Sequence, residues 1–186
     1  MKKMPSDLCE TIQYHIECKM LMTVERKFDG EIDSIHGFPI MMSTNYLLMT
    51  VINDFHDEGF TILRLIDISD AYSKENDAFY EKICIAENIG LGTANVVHDV
   101  TDLSFALMQL KDYRGFISIE CENQVEKGTF YLGKIETVET DGVFFQDIDV
   151  NGTWDDETHK ILFNEITRIS YGDNYAKVFY RYVEEK

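Results

Sequence analysis

The sequence predicts a mainly β protein of two tandem small barrels, residues 1–90 and 91–186, each opened by an N-terminal helix. Three observations carry this expectation. Helix signals fall at similar places in the two halves. Each helix leads into a series of short apolar runs separated by turn residues, the pattern of strands in a small bent barrel. The acidic load is also shared: residues 1–90 hold 8 Lys+Arg and 16 Asp+Glu, and residues 91–186 hold 9 and 18. A like-charged tail would have concentrated in one half. A length of 186 residues suits one large domain or two of about 90 residues each.

Along the chain, Ser6 or Asp7 can cap DLCETIQYHIE, in which Leu8, Ile12, His15 and Ile16 share a helical face. MLMTVER, KFDGEIDSI, NYLLMTVINDF and EGFTILRLIDI read as strands, with the acidic turn DFHDEG between the last two. A less marked helix runs through SKENDAFYEKICIAE from Ser73, and NIGLGTANVVHDV reads as a linker. In the second half, TDLSFALMQLK offers a Thr/Asp cap and an apolar face of Leu103, Leu107 and Leu110. RGFISIECE, TFYLGKIETVET, GVFFQDIDV, HKILFNEITRISYGD and NYAKVFYRYV then complete about five strands. Asn151-Gly152 is the dipeptide that most favours a two-residue hairpin turn, whose central residues both need positive φ.

Two anchors support a duplication. FDGEID at 28–33 aligns with YLGKIE at 131–136, and LRLIDISDA at 63–71 with ILFNEITRI at 161–169. The first offset is 103 and the second 98, which places five extra residues of the first copy around GFPIMMSTN.

Composition narrows the function classes. With 45% hydrophobic and 27% charged residues the chain is a folded protein rather than a disordered one. Acids outnumber bases 34 to 17, for a net charge of −17, which opposes a polyanion unless a local basic patch exists. The start, MKKMPSDLCE, has two lysines but no apolar run, and no stretch reaches the ~20 apolar residues of a membrane span. Cys9, Cys18, Cys84 and Cys121 form no CxxC pair and read as reduced core residues. These features point to a cytoplasmic protein.

The order of a helix and then five short strands, with aromatic-x-Gly-x-Ile on the second strand and an acid before the third, resembles the Sm-like fold, one of the SH3-like small barrels. YLGKIETVETDGVFFQDID follows that family's first motif through Gly133, Ile135, Asp141 and Val143. Glycine has a physical role there, because a long strand serving both sides of a small barrel must bend. The resemblance implies RNA binding through an Asn after the motif Asp and an Arg-Gly pair near the last strands. Here Phe144 occupies the first position and EITRISYGD lacks the second, so nucleic acid is not the expected partner.

Among candidate sites, Asp147, Asp149, Asn151 and Asp155 stand out. DxDxNG matches the start of an EF-hand loop, in which alternate oxygens would point at calcium. The match stops at Trp154 and at Thr158, where a bidentate Glu would sit, so an acidic hairpin turn is the competing interpretation. GLGTAN lacks the third glycine of a dinucleotide loop. His15, His36, His56, His98 and His159 show no zinc spacing, Ser104 lies in a helix start, and no catalytic residue is assigned. FYRY at 179–182, with Phe79 and Tyr80 placed alike in the first half, puts aromatics on two faces of a last strand or nearby helix. The second face needs cover, from the other domain, from another copy or from a peptide. The expected function is a non-enzymatic interaction or regulatory module binding a protein partner or itself, with a cation- or small-ligand-binding module at the 147–157 turn as one alternative and an RNA-binding Sm-like protein as the other.

Overall fold

A computed structural model describes residues 6–28, 30–92, 94–123 and 129–183, with Ser6 described by its backbone only. The initial MKKMP, Asp29 of the FDGEID anchor and Thr93 of GLGTAN lie outside the described residues. The chain divides into two compact units, Met1–Ala94 and Asn95–Lys186. Both are mainly β. No helix of the described residues is long and apolar enough to cross a membrane.

The first unit begins with α1 (Ser6–Cys18), then β1 (Met22–Phe28), β2 (Glu31–Gly37), β3 (Pro39–Met42), β4 (Tyr46–Asn53), β5 (His56–Arg64), β6 (Ile68–Tyr72) and α2 (Asp77–Glu87). As the periodicity predicts, Leu8 and Ile12 of α1 are buried and Ile16 packs beside them, over a core of Met22, Val24, Ile35 and Leu47. β1 lies between β2 and β6, while β4 lies between β3 and β5, all antiparallel. β2 and β3 are one run of chain bent at Gly37 and Phe38. Thr50 of β4 holds the bend: Phe38 N–H donates to its Oγ1 at 3.0 Å, and Thr50 N–H donates to the Phe38 carbonyl at 2.9 Å.

The second unit repeats the plan with α3 (Leu103–Lys111), β7 (Ile117–Cys121), β8 (Thr129–Val138), β9 (Gly142–Asp147), β10 (His159–Leu162), β11 (Arg168–Tyr171) and α4 (Asn174–Tyr182). The Asp102 carboxylate caps α3 by accepting from Ser104 N–H at 2.8 Å, and Leu103, Ala106, Leu107 and Leu110 are buried. The strand order β11-β7-β8-β9-β10 matches β6-β1-(β2, β3)-β4-β5 of the first unit. In neither unit do the two end strands of this meander pair among the described residues, so the expected closed barrels are open sheets.

The two units share an order of elements, but one of the two sequence anchors is out of register between them. Gly30, aligned in sequence with Gly133, sits at a turn with φ +86°. The counterpart of Gly133 is Gly37. A Cβ on either would collide with a carbonyl oxygen of the next strand, Gln146 for Gly133 and Thr50 for Gly37. GFPIMM is therefore the second half of a bent strand and not an insertion.

Two further expectations change. NYAKVFYRYV is the helix α4 rather than a strand: Asp173 caps it by accepting from Ala176 N–H at 2.8 Å, and Ala176, Phe179, Tyr180 and Val183 fall on one face at helical spacing. The cysteines are free, but only Cys84 and Cys121 are core residues; Cys9 is half-buried and Cys18 exposed.

Candidate functional site

Two places in the second unit bring chemistry together. The first is the connection between β9 and β10. Here Asn151 does not take positive φ; only Gly152 does, at +76°. Gly152 N–H donates to the Asp149 carbonyl at 3.0 Å and Asp149 N–H to the Thr153 carbonyl at 2.9 Å, a longer loop than the two-residue turn expected. The two-residue turn with both φ positive lies instead at Asp54 and Phe55, at 44° and 62°. Asp149 Oδ1 accepts from the amides of Asn151 and Thr153 at 2.9 and 2.8 Å, and these bonds hold its carboxyl below the usual range.

The expected cation group therefore divides. Asp149 and Asn151 bond each other at the tip, whereas Asp147 and Asp155 meet at the base and are joined by His159, for which the sequence offers no zinc spacing. One ligand atom from each of these three lies within 4.8 Å of the others, and His159 Nε2 is 2.8 Å from Asp155 Oδ2. His159 of β10 stands opposite Phe145 of β9, and Asp147 is two residues further along β9, hence on the same face. Only strand register reveals this meeting. An imidazole with two carboxylates is a donor set for a transition metal such as zinc, while calcium takes six to eight oxygens.

Burial pushes the Asp147 carboxyl up, against the opposing pull of the Leu132 and Ile148 amides and of His159. Its ionisation thus opposes folding. The cost is absent at acid pH, where folded and unfolded chains are both protonated, and is fully present above the raised folded-state pKa. Asp147→Asn keeps an oxygen for Leu132 N–H, which donates to Asp147 Oδ1 at 2.7 Å. Urea unfolding of this variant is expected to match the unsubstituted chain near about pH 3 and to show a gain near about pH 7. A loss at the higher pH would mean that the hydrogen bonds to the charged carboxylate outweigh its desolvation.

The second place is a groove between α4 and the chain entering β7. Tyr113, Phe116 and Tyr180 supply its apolar wall, and Arg114, Lys177 and Arg181 its rim; its volume is about 290 Å³. Among the described residues its lining includes no carboxylate. Gly115 leaves room for the Tyr113 ring, whose edge a Cβ there would meet at 2.6 Å. Phe116 is buried and packs edge-on against Tyr180 and Trp154, at ring separations of 5.1 and 5.5 Å. Lys134 Nζ lies 5.3 Å from the Tyr180 ring, 5.7 Å from Trp154 and 6.0 Å from Phe116, a cation held among three aromatics that ties α4 to β8 and to the loop. The FYRY aromatics thus split: Phe179 and Tyr180 face inward, and Tyr182 is exposed.

Other residues singled out in the sequence have structural partners. His15, buried, lies 2.7 Å from the Thr11 carbonyl and 2.7 Å from Ser73 Oγ, and so ties α1 to the chain beyond β6. His36 lies 3.2 Å from Asp77, and burial lowers its pKa. Of GLGTAN, residues 90–92 and 94–95 follow α2, and among the described residues the next helix begins at Leu103, so the strand-turn-helix setting of a dinucleotide loop is not formed by them. On α2, Tyr80 stacks on Phe55 at 4.0 Å and accepts from Phe55 N–H at 2.8 Å, whereas Phe79 is exposed. No protein-family model, no curated protein and no solved structure matches this chain.

Proposed function

We propose that the chain is a non-enzymatic interaction module built from two Sm-like units, and that it binds another protein in the groove beside α4. The groove carries this reading: three aromatics line a concave surface whose rim is basic, in a chain that is otherwise acidic. Aromatic anchors in a concave site are the usual core of a protein contact. The helix, the five-strand order and a second-strand glycine with no room for a Cβ against the next strand, present in both units, support the Sm-like likeness. That support does not extend to RNA. Phe144, in the position of the family's pocket Asn, lies under Lys160 Nζ at 5.7 Å, and the net charge of −17 opposes a nucleic-acid strand.

The test is affinity capture with the full chain and with Lys177→Trp, an exposed helix position whose new ring would fill the groove without touching the core. A protein enriched by the unsubstituted chain and lost with the variant is the expected result. Equal enrichment by both, or a strict monomer in light scattering with no partner enriched, would overturn the proposal.

A further inference from the structure

We infer that the groove takes an acidic stretch of its partner, with side-chain carboxylates held by Arg114 and Arg181 and assisted by Lys177. This rests on the interaction reading and specifies the partner's chemistry. The chain has five arginines. Arg26 holds Asp33, Arg64 holds Asp67 at 2.6 Å, and Arg168 lies 3.5 Å from Glu120. Arg114 and Arg181, like Lys177, make no ion pair among the described residues, although acids outnumber bases 34 to 17. Among the described residues an arginine without a carboxylate partner is the exception, and the two exceptions share one groove.

Asp173, the acid that precedes α4, is committed to capping it. The rim therefore presents guanidinium forks that match a carboxylate in two-pronged geometry, above an aromatic wall that can cover the methylenes of Glu or an adjoining ring. A volume of about 290 Å³ admits a few side chains of an extended segment rather than a folded surface. Charge range also favours a short segment. At physiological salt the screening length is about 8 Å, so the rim cations act on what lies in the groove while more distant acids are screened. A nucleic-acid strand would run beyond that range and meet the acidic surface.

The test is isothermal titration of the full chain, at about 50 mM salt, with three probes: a synthetic decapeptide alternating Glu and Tyr, its counterpart with Gln for Glu, and decauridylate. Fluorescence of Trp154, the one tryptophan, gives a second readout because its ring packs on the groove residue Phe116. The Glu peptide is expected to bind, the Gln peptide to bind at least about tenfold more weakly, and the double variant Arg114→Gln/Arg181→Gln to lose about tenfold for the Glu peptide. Both substituted positions are exposed, and unchanged circular dichroism is the check that the fold is kept. Equal binding of the Gln and Glu peptides would overturn the acidic-partner inference and leave the interaction reading standing. Indifference to the arginine substitutions, or competition by decauridylate, would also overturn it. Failure of both peptides to bind would overturn the inference, and the capture experiment then decides the fate of the broader reading.

Discussion

Gly133→Ala is expected to destabilise the second unit by about 3 kcal/mol or more, because a methyl group there has no space that a rotamer change could create. The added Cβ would sit inside the Gln146 carbonyl oxygen, 3.0 Å from that carbonyl carbon and 3.3 Å from the Asp147 Cα. All of these are backbone atoms. Gly133 is paired to Ile117 on one side and Asp147 on the other, so relief requires moving a strand that hydrogen-bonds to both neighbours. Gly37→Ala should behave alike in the first unit, against the Thr50 carbonyl. Gly30→Ala is the control. It meets nothing within 4 Å and suffers only from φ +86°, at a cost of about 1–2 kcal/mol. Urea unfolding of the three variants checks the order, and a Gly133→Ala variant within about 1 kcal/mol of the unsubstituted chain would contradict the close strand approach.

The second large effect concerns Arg26. Its side chain is fully buried, stands opposite Asp33 across the β1–β2 ladder, and lies 5.0 Å from the Phe28 ring. It continues the inward face of Met22 and Val24, just after an irregularity in the β1–β6 register between Glu25 and Arg26. Desolvating a guanidinium is costly, and the Asp33 carboxylate offsets that cost. Asp33→Asn is therefore expected to cost about 2–3 kcal/mol. Arg26→Met should cost less, because the abandoned Asp33 is 39% exposed and water can solvate it. Adding Asp33→Asn to Arg26→Met should then change little. Thermal or urea unfolding of the three variants reads the asymmetry; equal losses from the two single changes would mean that the buried charge is not what makes the pair matter.

The parts of this structure that are legible in the sequence are those governed by local rules. The buried face of α1, the Asp102 cap and the alternating strands follow from spacing and capping chemistry alone. The bend at Gly37 is hidden because Gly-Phe-Pro has the composition of a loop, and only the Thr50 carbonyl across the sheet explains the glycine. α4 is masked because Tyr, Val and Phe favour strands; its Asp173 cap and the 3–4 spacing of Ala176, Phe179, Tyr180 and Val183 are the signals that specify a helix instead. His159 joins Asp147 and Asp155 only through strand register, which an open-ended loop length leaves undetermined. The groove is tertiary altogether, since its wall comes from Tyr113 and Phe116 and from a helix some 60 residues away.

The two core cysteines give each unit its own clock. Cys84 on α2 and Cys121 on β7 are fully shielded from solvent, one in each unit. A thiol reagent reaches either sulfur only when the surrounding structure opens, so its reaction rate reports the opening free energy of that unit. With Cys9 and Cys18 replaced by serine, the labelling rates of the remaining two, resolved by peptide mass, would tell whether the two units open in a single event or each on its own schedule.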